Sequence, residues 1–528
     1  MRFIPEKVFD HATYYIMALY VLALGWSPYA SAFTAYTIAG VMLLKVFFCK
    51  QKNLSFLRKP EVYYFATPAF LFAIGLFYSQ APRFKEFLTV APILAYSFGI
   101  ASFKPLSAKQ FRTVMILFIF SITILAATNF IYFQVTKTLH SDVREMSLTM
   151  SHIRFSLLCN IAILTSLYYI FWRSSKEYSM LEKYILWAGL IILFPYLLMQ
   201  QSLAGVGTFT ICAIFILIKY TNQKGNERKA TIFWASVALI SSIFLAIFFY
   251  ELSFFLKPDP IPEALPQYTL NGNKYEHYTD DLATENGHRI ALYICAKELD
   301  EQWPKYSSLA LSNKDEKKQP LIATLYRYLT SKNLTKDSVG LSKLNAEDIK
   351  NIENGITNYR FTNNILPNKK IYTLIWEINI ALEQKGVSGH SATQRLMFQE
   401  AGLALIKDNF WFGYGTADLV KALHPYYEKI NTQLSKKYWL APHNQFISFF
   451  CMFGLIGFSA IIASYILLIK KTSVFSSYFK SIYFIIVLLS MLFEDTISTQ
   501  AGVVLYGFFG ALFLFGTEEE HRFSDLSQ

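Results

Sequence analysis

Residues 441–469, APHNQFISFFCMFGLIGFSAIIASYILLI, decide how this chain is read. His443 and Asn444 stand at the head of an apolar run that continues to Ile469. About 20 such residues, at about 1.5 Å of rise each, cross the roughly 30 Å hydrocarbon layer of a bilayer. The segment upstream, 257–442, is polar and water-soluble in character. A titratable side chain therefore sits where a long polar segment re-enters a membrane. Packing alone explains that poorly, and it marks where chemistry can occur on an otherwise apolar protein.

Working outward, the whole chain has the composition of a membrane protein. Of its 528 residues 53% are apolar and 17% aromatic, and only 16% are charged. Apolar runs near 10–26, 31–48, 62–79, 86–102, 112–135, 155–172, 183–199, 203–219, 231–254, 445–469, 479–494 and 497–516 give about twelve candidate spans. The first run lacks a small-residue cleavage site and reads as a signal anchor rather than a cleaved signal. The fold class expected is an all-α, polytopic membrane protein with one large, mostly helical external loop domain. Its expected divisions are a bundle over 1–256, the loop domain over 257–442, a second bundle over 443–517 and a cytoplasmic tail over 518–528.

Basic residues set the orientation. With the N-terminus in the cytoplasm, inside loops carry Lys50, Lys52, Arg58, Lys59, Arg173, Lys176, Lys470 and Lys471, among others. The short outside loops hold little beyond Arg83, Lys85, Lys137 and Arg144. Both termini are then cytoplasmic and 257–442 is outside. The net charge of +12 belongs mostly to this cytoplasmic collar, which favours anionic headgroups and not nucleic acid. Of the five cysteines only Cys295 lies in the long loop, so the loop cannot close a disulfide on itself. No Cys/His spacing for a metal, no phosphate-binding glycine loop and no dinucleotide fingerprint occurs, so neither cofactor nor metal is expected.

A loop of this length should fold. It starts with the extended, proline-rich KPDPIPEALPQY (257–268). Helical patterns follow at Pro320–Thr330, Ala346–Ile356 and Tyr372–Glu383, and then in SATQRLMFQEAGLALIKDNF (391–410). In the last of these Ser391 and Gln394 form a capping-box pattern and Arg395 falls in the second turn. WFGYGTAD (411–418) follows, with Gly413 and Gly415 permitting a sharp turn back toward His443.

At these residues the chain resembles the O-antigen ligase family. His443 and Asn444, nine residues, Gly454, two residues and Gly457 repeat the family's spacing, and Arg395 ahead of a Gly-x-Gly turn matches its loop arginine. FEDTISTQAGVVLYGFFG (493–510) is similar to the family's late segment, with Glu494 and Gln500 in place. RYLTSKNLTKDSVG (327–340) with GHSATQR (389–395) is similar to a long-loop variant found in Bacteroidota. One departure stands out. Where members often carry a Ser-Arg pair, this chain reads QQSLAGVGTF (200–209), and Arg154 in MSHIRFSLL (150–158) is the best-placed substitute.

The resemblance implies a metal-independent, inverting glycosyltransferase of the bacterial inner membrane, using no cofactor. The implied donor is an undecaprenyl-diphosphate-linked glycan held by Arg395 and Arg154, with His443 as base and Asn444 beside it. Gly454, Gly457, Glu494 and Gln500 are expected to support the site. The acceptor implied first is lipid A–core, which makes the protein a ligase acting in the periplasm. A second lipid-linked glycan, giving a polymerase, or a protein Ser or Thr, giving an oligosaccharyltransferase, would use the same donor site. A polysaccharide or lipid flippase is the non-enzymatic reading. It is disfavoured because the chain shows no paired interrupted spans in two related halves.

Overall fold

The computed structural model describes residues 4–49, 54–80, 84–136, 146–173, 178–200, 202–222, 246–255, 258–281, 283–362, 391–430 and 439–524, with Thr231, Ser236, Ser242, Tyr372, Ile375 and Lys436 singly. The chain folds as two compact units. One is Met1–Phe233 with Arg395–Gln528, and the other is Trp234–Gln394.

The first unit is helical. It begins with α1 (Glu6–Ala23), α2 (Pro28–Phe48), α3 (Pro60–Leu76), α4 (Phe84–Ser102), α5 (Ala108–Val135), α6 (His152–Phe171), α7 (Met180–Met199) and α8 (Leu203–Thr221). Local signals place their starts. Pro28 and Pro60 open α2 and α3, where a missing N–H costs nothing. Ser107 with Gln110 and Ser179 with Glu182 form capping boxes for α5 and α7. Helix α6 packs on α7 and α8, α2 on α4, and α5 on α7. Buried Asn160 donates to the Gly205 carbonyl at 2.9 Å, the kind of polar tie that fastens helices in lipid.

Among the described residues six helices are long and apolar enough to cross a membrane. They are α4 to α8 and the later Gln445–Lys471, while Ala32–Phe48, Ala246–Phe255, Tyr478–Phe493 and Gln500–Phe515 are shorter apolar helices. Hydropathy alone places about twelve spans. Helices α1 and α3 lie at two of those positions, but α1 carries Glu6, Lys7 and Asp10 and α3 has only 17 residues. Most of the expected span 231–254 lies outside the described residues. Large apolar side chains such as Leu19, Phe33, Phe47, Val135 and Ile191 remain exposed on helix flanks, as a lipid-facing surface requires.

The second unit holds the apolar helix Ala246–Phe255 (α9), the short helices α10 (Ala296–Gln302), α11 (Leu321–Ser331), α12 (Ser338–Ser342) and α13 (Ala346–Glu353), and a small antiparallel pair, Thr284–Glu285 with His288–Arg289. Trp303, Leu325, Tyr328 and Leu329 form its core. Glu298 knots its loops. It accepts from Thr269, from Asn273 at 2.9 Å and from both the backbone and hydroxyl of Ser338. Burial opposes ionisation, but these donors hold the carboxyl down to about 2. Arg327 and Lys332, the loop's most conspicuous cations, pair internally with Glu285 at 2.9 Å and Asp348 at 2.7 Å. The expected helix Tyr372–Glu383 falls outside the described residues apart from Tyr372 and Ile375.

The first unit resumes within α14 (Ser391–Asp408) and continues with α15 (Leu419–Lys429), α16 (Gln445–Lys471), α17 (Tyr478–Phe493) and α18 (Gln500–Phe515). Residues 395–442 thus cluster with the apolar helices. All five cysteines are buried and free.

Candidate active site

Four elements deliver one polar cluster. Arg154 comes from the first turn of α6, Arg395 from α14, His443 from just ahead of α16, and Glu494 from just past α17. The Glu494 carboxylate is the meeting point. Its Oε1 lies 2.8 Å from Arg395 Nη2, and its Oε2 lies 3.7 Å from His443 Nδ1 and 4.0 Å from Arg154 Nη2. The three basic side chains are each 28–29% exposed and the carboxylate only 13%. The cations therefore ring a mouth and the acid forms its floor.

Burial works to raise the Glu494 carboxyl, but the adjacent His443 and the charges of Arg395 and Arg154 outweigh it, so the group stays below its ordinary range. Glu494 is ionised at neutral pH. One carboxylate then faces two guanidinium groups, and the mouth keeps an excess of positive charge. Arg154 also stands against its own helix, because a cation in a first turn opposes the macrodipole and α6 has no acid there. Glu494 offsets that cost.

The next residue holds His443 from the other side. Asp495 accepts the His443 backbone N–H at 3.0 Å and the hydroxyl of Ser448, one turn into α16. Burial pushes the Asp495 carboxyl up despite those donors. His443 has a left-handed backbone, φ 51°, which is uncommon for a residue with a side chain. Asp495 and the cap that follows hold it there. That cap is Asn444, whose Oδ1 accepts from the N–H groups of Phe446 and Ile447 at 3.1 and 3.2 Å. Expected beside the base, Asn444 has its carbonyl engaged in starting α16. The His443 ring lies against Phe398 of α14, 5.6 Å between centroids.

Gly454 breaks α16. Its φ of 60° and ψ of −169° interrupt the helix, and the loop after α14 fills the gap. Tyr414 and Gly415 donate their N–H groups to the carbonyls of Cys451 and Met452 at 2.9 and 2.8 Å, and Leu455 donates to Phe410 at 2.8 Å. Every group freed by the break that these bonds reach is satisfied by the inserted loop, which is what apolar surroundings demand. The fit leaves no room for side chains. A Cβ at Gly454 would lie 2.3 Å from Trp411 backbone, and one at Gly413 would lie 2.5 Å from Met452 backbone. Gly457 differs in having no left-handed backbone, although a Cβ there would still lie 2.3 Å from the Phe453 Cβ.

Gln500 stands apart from the carboxylate. With Thr149 it lines a cleft of about 240 Å³ beside Arg154, whose walls include Leu24, Met150, Leu158 and Val504. The turn Val504–Phe508 along one wall is π-helical. Sequence reasoning assigns Asp495 and Ser448 no part in the site. A readable signal exists for the first, because two adjacent acids between apolar runs are costly without a task.

Residues 368–462 match the family model described as O-antigen ligase. The match bears out the resemblance to that family. It takes in Arg395, Gly413, Gly415, His443, Asn444, Gly454 and Gly457, while Arg154 and Glu494 join them only through the fold and Gln500 lies outside the match. For an O-antigen ligase domain set among apolar helices it supports a glycosyltransferase-like enzyme of polysaccharide processing, with lipid-linked glycan substrates, in a multi-pass membrane protein. No curated protein matches the chain.

Proposed function

We propose that this protein moves a glycan from an undecaprenyl-diphosphate carrier to an acceptor hydroxyl on the periplasmic side of the inner membrane, the acceptor being lipid A–core. The convergence of Arg154, Arg395 and His443 on one carboxylate at the ends of apolar helices carries the reading. Guanidinium groups are planar, permanently charged and matched to phosphate oxygens, so the two arginines hold the donor's diphosphate. His443 takes the proton of the acceptor hydroxyl, and the oxygen attacks the anomeric carbon from the face opposite the diphosphate. The bond from that carbon to the diphosphate oxygen breaks with its electrons going to the departing undecaprenyl diphosphate. One displacement of this kind inverts the anomeric centre. The arginine pair stabilises the charge that develops on the leaving group, so no metal is called for. Asn444 serves the base indirectly by fixing the start of α16.

Deletion of the gene, followed by analysis of surface and lipid-linked glycans, tests the acceptor. The expected outcome is loss of polymer from lipid A–core with lipid-linked polymer retained. Shortened chains on lipid A–core would mark a polymerase, and loss of glycoprotein signal would mark protein transfer.

A further inference from the structure

Glu494 pairs with the two guanidinium groups that, on the donor reading above, receive the donor's phosphates. Resting on the donor reading above, we infer that this carboxylate is an internal stand-in for the diphosphate, holding the arginine pair while the site is empty and turning to His443 when phosphate displaces it. Three observations support the exchange. The carboxylate is the only acid shown pairing with Arg395 and Arg154 among the described residues, so it fixes both cations before a ligand arrives. It lies deeper than they do, so a phosphate entering at the mouth meets the guanidinium groups first. Its Oε2 is already 3.7 Å from His443 Nδ1, slightly beyond a hydrogen bond, so a small rotation completes that contact.

The second state has a defined chemistry. With Nδ1–H donated to Glu494, the free Nε2 of His443 is the proton acceptor, and the carboxylate stabilises the imidazolium that forms as the acceptor hydroxyl is deprotonated. Donor binding would thereby switch on the base. An empty site keeps the carboxylate on Arg395, so water meets a base that lacks its support. Glu494 is a positioning residue in this scheme and touches no reacting atom.

Inorganic pyrophosphate binding to the detergent-solubilised full chain, measured with donor KM and kcat, tests the exchange. Glu494→Gln removes the competing charge. It should bind pyrophosphate several-fold more tightly and lower the donor KM, while kcat falls about tenfold or more because the imidazolium loses its partner. Glu494→Asp should restore part of kcat and weaken pyrophosphate binding toward the parent. A Glu494→Gln protein that is monodisperse yet binds pyrophosphate no better than the parent, or keeps the parental kcat, overturns the stand-in. Arg395→Ala separates the two ideas. If it binds pyrophosphate like the parent, the donor reading itself falls; if it loses binding while Glu494→Gln is unchanged, only the stand-in falls.

Discussion

His443 stands between adjacent acids, its backbone N–H donated to Asp495 and its ring Nδ1 3.7 Å from Glu494. A histidine placed only for its polarity at headgroup depth would have no need of either. Loss of a general base typically lowers rate by about 100- to 10,000-fold. His443→Ala should therefore insert and fold normally while transferring glycan at about that fraction of the parental rate. Asn444→Ala should lose about 1 kcal/mol of helix-start stability and keep most of its activity, because its carbonyl caps α16 and touches no substrate. Single-turnover transfer by the purified variants distinguishes the two, and a His443→Ala rate near the parent's removes the base assignment. The sequence makes the histidine and Arg395 legible through spacing. It offers Glu494 only as a supporting residue and hides its pairing with Arg395, because the two are 99 positions apart and no local pattern reports such a contact.

Among the elements, α16 shows where hydropathy stops being informative. The apolar run from Gln445 to Ile469 reads as one span, and by composition it is one. The interruption at Gly454 leaves no trace in hydropathy, since glycine in the left-handed region and glycine in a helix are the same letter. Small residues in such helices usually mean close helix packing, and Gly457 fits that account. Gly454 instead lets a loop's backbone enter the helix. Alanine at the two positions should separate these roles. Gly454→Ala combines a strained φ with contact against unyielding Trp411 backbone and should lower stability by about 2 kcal/mol or more. Gly457→Ala also brings its Cβ to 2.3 Å, from the Phe453 Cβ one turn earlier, but adds no strained φ and should cost less. Thermal unfolding of both variants in detergent, followed by size exclusion, reads the difference; equal midpoints would contradict it.

At the scale of the whole molecule, the helical character and most span positions follow from hydropathy, because lipid imposes so few backbone solutions. Contact adds what hydropathy lacks: the unit that holds the apolar helices takes in the chain from Arg395 onward, including the polar stretch ahead of His443. The basic collar predicts the sidedness. Ser312 is exposed in the second unit, and the native cysteines are all buried, so Ser312→Cys offers a clean label site. A membrane-impermeant maleimide should modify it in cells with a permeabilised outer membrane and an intact inner one. Modification only after the inner membrane is opened would reverse the topology.

The loop sewn into α16 has a mechanical consequence. Backbone bonds on either side of Gly454 bind the stub of α16 that begins behind His443 to the loop that ends the Arg395 helix. Thinning or bending of the surrounding bilayer tilts long helices independently, and an unbroken α16 would carry the histidine away with its own tilt. Because the same loop is bonded to α16 both before and after Gly454, the break is splinted: a tilt of α16 passes to the loop and to the Arg395 helix, and His443 and Arg395 move together.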